Sequence, residues 1–143
     1  LHDINDTSVL KMADYKYLIA GIPTWDFGEL QEDWEDQWEK LREINLESKY
    51  VALFGLGDQV GYPEWFQDAM GYLWQKLKDQ GAIMVGTWPN QGYSFTHSKA
   101  LNAEKSMFLG LPLDDENQFD QTDSKIQVWT KKILTEFGIL NFE

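Results

Sequence analysis

Apolar residues along this chain alternate between short unbroken runs and stripes at helical spacing. Lys16–Ile22 (KYLIAGI) is a compact run closed by Pro23, the pattern of a strand buried on both faces. Leu30, Trp34, Trp38, Leu41 and Ile44 then recur three or four residues apart. Charge lies on the opposite face, so this segment predicts a helix. Tyr50–Phe54 is a second buried strand, stopped by Gly55. Pro63 suits the first turn of the next helix. That helix's stripe is Phe66, Ala69, Met70, Leu73 and Leu77, with Gly81 as its C-cap. Ala82–Val85 predicts a third strand, and Ile126, Trp129, Ile133 and Phe137 a last helix ended by Gly138.

Strands alternating with helices imply βαβ units, hence an α/β fold with a doubly wound parallel sheet. The chain, 1–143, reads as one domain. In such sheets ligands bind beyond the carboxyl ends of the strands. That rule selects two loops, Pro23–Gly28 (PTWDFG) and Gly55–Tyr62 (GLGDQVGY). Residues 87–122 break the alternation and read as an insertion interrupting the last strand, with Met107–Leu111 resuming the sheet.

Composition narrows the chemistry. With 24 acidic and 12 basic residues the formal charge is −12. Nucleic acid and anionic membranes would be repelled, whereas a basic protein partner would be attracted. With no cysteine, the chain forms no disulfide, iron–sulfur cluster or thiolate metal site. If it moves electrons, it borrows a cofactor. Only His2 and His97 offer imidazoles, and they are far apart in sequence. No apolar run approaches the roughly 20 residues that cross a bilayer.

Trp25 lies two residues past a predicted strand, and Tyr62 follows the neighbouring one. Adjacent strands are about 4.8 Å apart. The two rings therefore either cover the open end of the core or sandwich a flat heterocycle. Gly28, Gly55, Gly57 and Gly61 would admit backbone close to such a ligand. The spacing of Gly55, Gly57 and Gly61 is G-x-G-x-x-x-G, one residue too long for the dinucleotide fingerprint. Asp58 also falls where a pyrophosphate would approach. A nicotinamide Rossmann site is therefore excluded.

These segments resemble a known family. GIPTWDFGELQEDW (21–34) and VALFGLGDQVGYPEWF (51–66) look like the first and second flavin loops of long-chain flavodoxins. GYSF (92–95), SKA (98–100), FLGL (108–111) and LDDENQ (113–118) look like the insertion that distinguishes long-chain members. The wording around Trp25 and Trp65 resembles that of members from enteric-type bacteria. The resemblance runs in order along essentially the whole chain.

It implies a low-potential one-electron carrier with non-covalent FMN, and no substrate turnover of its own. Trp25 and Tyr62 would stack on opposite faces of the flavin ring. Pro23, Thr24, Asp26, Phe27 and Gly28 of the first loop would contact its edge and ribityl chain. So would Gly55, Leu56, Gly57 and Asp58 of the second, with Trp65, Phe66 and Glu116 nearby. The Asp26–Phe27 peptide corresponds to the one whose carbonyl turns toward flavin N5 on reduction. The implied partners are an NADP-linked flavodoxin reductase and redox acceptor enzymes, met in the cytoplasm by a monomer. Between Glu29 and Glu43 stand seven acids against two bases. This segment is either a docking surface or an ordinary solvated helix face.

Flavodoxin is itself a type example of strand order 2-1-3-4-5, with FMN where strands 1 and 3 diverge. Leu1–Ile4 matches the family's second strand and Lys16–Ile22 its third. The first strand, its phosphate-binding loop and the first helix, roughly 30 residues, are expected ahead of residue 1. The expectation is thus a partial fold with a bare strand edge, weak FMN binding and a tendency to aggregate. Two other readings on this fold remain: an FMN-dependent NAD(P)H:quinone reductase, and a signalling receiver. The wording of the Trp25 loop argues against the first, and the paired aromatics against the second.

Overall fold

The computed structural model describes residues 1–139. Two long parallel strands form its spine: β1 (Tyr17–Trp25) and β3 (Tyr50–Leu56), paired from Tyr17↔Tyr50 to Pro23↔Leu56. Between them lie β2 (Glu29–Leu30) and α1 (Glu32–Gln37). The chain continues through α2 (Asp68–Asp79), β4 (Ile83–Val85), β5 (Trp88–Pro89), β6 (Met107–Phe108), β7 (Leu111–Leu113) and α3 (Phe119–Glu136).

Side chains alternate across a strand, and β3 buries both faces. Val51 and Leu53 join Ile22, Ala69, Met70, Leu73 and Leu77 under α2. Ala52 joins Leu111, Leu113, Trp129, Ile133 and Phe137 under α3. Each fully buried aliphatic side chain contributes about 1.5–3 kcal/mol. These two layers explain why β3 reads as a continuous apolar run. β1, expected to be buried on both faces, is not, since Tyr17 and Ile19 are exposed.

β4 pairs with β3 at Tyr50–Ala52, and β7 pairs with it at Phe54–Leu56, both parallel. They are two halves of one lane, parted beside Leu53. Gly86 leaves the first half with φ +87°, and the Trp129 indole donates to its carbonyl at 2.8 Å. The segment between β4 and β7 thus parts this lane. The segment that resumes the sheet is Leu111–Leu113, however, and not Met107–Leu111. Met107 and Phe108 pair antiparallel with Pro89 and Trp88 in a separate ribbon. Phe108 is needed elsewhere: it packs edge-on against Phe66 and Tyr93, at 5.9 and 5.2 Å between centroids.

Four further expectations are corrected. Leu1–Ile4 is not a strand. The Asp3 carboxylate accepts the Asn5 N–H at 2.9 Å, and the Asp3 carbonyl accepts those of Asp6 and Thr7. Local turn bonds have replaced a ladder. The helix after Leu30 is short and gives way at Gln37 to a 3₁₀ turn, Trp38–Glu43. The Gln37 side chain takes the Val9 N–H at 2.6 Å and donates to the Ile4 and Thr7 carbonyls. Pro63 does not open α2, which begins at Asp68. The intervening turn is clamped to the insertion, with Phe66 N–H on the His97 carbonyl and Thr96 and His97 N–H on that of Pro63. Gly55 lies inside β3 and does not stop it.

Among the described residues, β1 meets a strand on its other side only at Thr24 and Trp25, through β2. Tyr17–Pro23 have no strand partner there, and Ile19 is 49% exposed.

Candidate functional site

At the carboxyl ends of β1 and β3 lies a cavity of about 570 Å³, within the ordinary range for small-molecule sites. It is lined by Pro23, Thr24, Trp25 and Asp26 from the first loop and by Leu56, Gly57, Asp58 and Tyr62 from the second. Asp115 and Glu116 close a third side. Glu116 was among the candidate residues, and Asp115 was not. Phe27, Gly28, Gly55, Trp65 and Phe66 do not line the cavity. Phe66 is buried in the aromatic cluster of the insertion, and Trp65 supports the hairpin from behind.

Trp25 belongs to β1 itself and is not a loop residue beyond it: it pairs with Glu29 across a tight hairpin. Asp26 and Gly28 turn that hairpin with φ of +43° and +83°; a three-residue connection commonly requires the second of these, at its last position. Trp25 is 46% exposed and joins neither core cluster. It therefore does not seal the core, and it lines the cavity instead. Tyr62, 36% exposed, reaches across to Asp26, its hydroxyl 3.4 Å from Oδ1. Phe27 meets Tyr62 and Trp65 edge-on at 6.1 and 5.1 Å. The two loops thus hold each other by their side chains.

Beneath the second loop is a carboxylate framework that sequence reasoning missed. Asp114, 1% exposed, accepts four bonds: Gln59 N–H at 3.0 Å, Gln59 Nε2 at 2.8 Å, Asn117 N–H at 3.0 Å and Asn117 Nδ2 at 2.9 Å. Asn117 Nδ2 also donates to Asp58 at 2.8 Å, and Gln59 Oε1 accepts the Ser94 N–H at 2.6 Å. Asn117 is a strut between two carboxylates. Asp58 caps its own turn, taking the Gly61 and Val60 N–H groups. The Gly61 N–H, above all, holds its carboxyl below the usual range, against the opposing pull of burial. The only sequence signal for this framework is an acid directly after a wholly buried strand, Leu111–Leu113.

Asp114→Ala should strand four donors in a buried setting. Unfolding free energy in urea is expected to fall by about 3 kcal/mol, and Asp114→Asn should lose less.

Further down, Gln67 Nε2 donates to the Gly55 and Leu113 carbonyls at 3.3 and 3.0 Å. Its Oε1 is buried without a partner. Gly57 N–H bonds the Leu113 carbonyl at 3.0 Å, fixing the floor of the cavity. His2 pairs with the Tyr15 hydroxyl, the His97 backbone clamps the Phe66 turn, and neither residue lines the cavity.

The cavity's charged lining is acidic only: Asp26, Asp58, Asp115 and Glu116. Such a rim opposes anions and opposes the gain of negative charge by anything bound. Exposed rings beside backbone edges suit a flat, uncharged heteroaromatic.

Comparison with known proteins agrees with this geometry. The flavodoxin family model matches residues 1–129. Flavodoxin 2 of Escherichia coli (strain K12) is 54% identical over 138 residues, covering 96% of this chain and 80% of the relative. A flavodoxin from Nostoc sp. is 47% identical over 139 residues, covering 97% and 81%. The crystal structure of Fusobacterium nucleatum flavodoxin bound to flavin mononucleotide superposes with a TM-score of 0.85 at 32% identity, covering 90% of this chain and 76% of that one. On the family match, the relatives and the shared architecture, this chain belongs to the flavodoxin family.

Proposed function

We propose that this chain binds FMN non-covalently, with the flavin ring between Trp25 and Tyr62, and carries single electrons at low potential. It is an electron-transfer protein and not an enzyme. The observation that carries the reading is the pair of exposed rings at adjacent strand ends, flanking a cavity whose charged lining is entirely acidic. The residues fit the flavin ring and its ribityl chain: aromatic faces for the ring, backbone at Thr24–Asp26 and Leu56–Asp58 for its polar edges, and Glu116 toward the ribityl side, with the phosphate directed away from this acidic lining. Bound there, FMN supplies reversible one-electron chemistry.

The chain's own residues do the rest. Trp25 and Tyr62 exclude water from the two ring faces. Asp26, Asp58, Asp115 and Glu116 set a negative field against incoming electrons, which lowers the potential. The Asp114 framework holds the loop that bears Tyr62. Phe27, Gly28, Gly55, Trp65 and Phe66 act from behind, as the seat of the two loops. The 86–110 segment, packed as an excursion between β4 and β7, supports assignment to the long-chain members. The similarity to the E. coli protein favours the enteric second-flavodoxin type.

Potentiometric titration of the FMN-loaded chain tests this reading. Two separated one-electron steps and no NADPH oxidation are expected. Steady NADPH oxidation with a quinone as acceptor would make it a reductase instead.

The redox partners we propose are an NADP-linked flavodoxin reductase and acceptor enzymes, met by a monomer in the cytoplasm. The docking face is the acidic one. Glu32, Asp33 and Glu35 occupy the first turn of α1, just after the hairpin that bears Trp25. Reversing all three to Lys should slow reduction by a basic reductase about tenfold at low ionic strength. The difference should fade near 0.5 M salt, where the Debye length is about 4 Å. Rates unchanged at low salt would remove this face from the docking surface.

A further inference from the structure

Three consecutive residues at the start of α2 each reach a different part of the site. The Ala69 N–H donates to Thr24 Oγ1 at 3.0 Å. Gln67 holds the Gly55 and Leu113 carbonyls. Asp68, between them and 1% exposed, accepts the Lys99 N–H at 2.8 Å on Oδ1. Its Oδ2 stands 3.0 Å from where a Cβ on Gly28 would be. The carboxylate is thus wedged between the back of the Asp26–Gly28 hairpin and the excursion between β4 and β7. Lys99 is pressed onto α2 at this point, since a Cβ on Gly71 would come within 2.2 Å of its carbonyl oxygen.

An acid in the first turn of a surface helix is stabilised by the helix dipole. Asp68 behaves differently: burial pushes its carboxyl above the ordinary range, against the Lys99 N–H bond, the Lys99 ammonium and His97. Asparagine would accept the same Lys99 bond without placing a charge in a dry setting. The charge therefore costs the fold something that the hydrogen bond alone does not require.

We propose that Asp68 is a positioning residue whose carboxylate couples the hairpin bearing Trp25 to the excursion at Lys99, and whose charge helps hold the cofactor's potential down. The part of this that concerns the potential rests on the FMN reading above. The charged groups on the surrounding elements are Lys99 and His97 on the excursion, Asp26 and Glu29 on the hairpin, and Glu64 in the turn before α2. A folded-state value raised above the unfolded one means that the fold favours the protonated form. Asp68's contribution to stability therefore falls as pH rises from the unfolded value of 3.8 through its folded value. Asp68→Asn should be relatively more stable than the parent at neutral pH, with the advantage shrinking in acid.

The decisive experiment is a pH titration of the ¹⁵N-labelled, flavin-free chain. The Gly28 and Lys99 amides should shift together with one midpoint above 3.8, the ordinary value for this group. Both shifts should vanish in Asp68→Asn and persist in His97→Gln. A Gly28 amide that stays still, or one that still titrates in Asp68→Asn, overturns the coupling. In the FMN-loaded chain at pH 7, Asp68→Asn should raise electron affinity about threefold, which is ~28 mV for one electron. The difference should close at acid pH. A potential unchanged by the substitution overturns the charge role, because a merely structural residue would move the melting temperature alone. If the parent takes up no FMN, the FMN reading fails, while the amide titration still decides the coupling.

Discussion

Replacing Trp25 and Tyr62 together by alanine is expected to weaken FMN binding about a thousandfold. Stacking one aromatic side chain on a heterocyclic base contributes about 1–3 kcal/mol. Two such contacts at about 2 kcal/mol each give about 4 kcal/mol, or close to three decades in Kd. Each single substitution should lose about thirtyfold, and Trp25→Phe should keep most of the affinity. The fold should barely notice the loss of the indole. Trp25 is 46% exposed and outside both core clusters, and such sites usually change stability within about 0.5 kcal/mol. Fluorescence titration with FMN, paired with urea denaturation of the same proteins, separates the two effects. Full affinity in the double variant would remove the ring pair from the site.

The elements legible in the sequence are those whose residues have one demand to meet. β3 is buried on both faces, so every position prefers an apolar side chain and the run announces itself; β1 carries the same apolar run although Tyr17 and Ile19 are exposed. The Ala69, Met70, Leu73 and Leu77 stripe of α2 faces one core, and Gly81 ends it with φ +96°. Illegible elements were decided by bonds to distant residues. Gln37 fits a helix, yet its amide is drawn to the Ile4–Val9 segment. Phe66 continues the α2 stripe in spacing, but its N–H is committed to His97. Gln67 adopts φ +64°, a conformation its side chain does not favour, and uses it to bridge Gly55 and Leu113.

The site divides in the same way. Its aromatic plates were legible because strand ends in a parallel sheet point to their loops. Asp115, Asn117 and the four bonds to Asp114 were not, because they depend on how β7 returns beside β3. That return lies across an excursion whose pairing the sequence misplaced by a few residues. Asp58 was noted for the charge it would present to a phosphate. Its position in the fold gives it another task, capping the turn that carries Tyr62.

Gly71→Ala sets a local preference against a tertiary contact, and the contact is expected to win. Gly71 lies inside α2, where alanine is favoured by about 1 kcal/mol on helix propensity. Its φ is not among the positive ones, so the backbone itself would accept a side chain. But a Cβ there would fall 2.2 Å from the Lys99 carbonyl oxygen, 2.6 Å from its carbon and 3.0 Å from the Ala100 nitrogen. These are backbone atoms, with no rotamer to change. Lys99 N–H is held by Asp68 and Ala100 is fully buried, so the excursion cannot slide freely. Overpacking of this kind costs about 1–3 kcal/mol and sometimes more, enough to cancel the propensity gain of about 1 kcal/mol and leave a net loss of about 1 kcal/mol. The damage should also spread in a defined direction. Pushing Lys99 outward breaks its bond to Asp68 and loosens the seat behind Gly28, so FMN affinity should fall although no atom of the cavity has been altered. Urea denaturation and FMN titration should both register the change. A more stable protein with unchanged affinity would mean that α2 and the excursion are not packed backbone to backbone at this glycine.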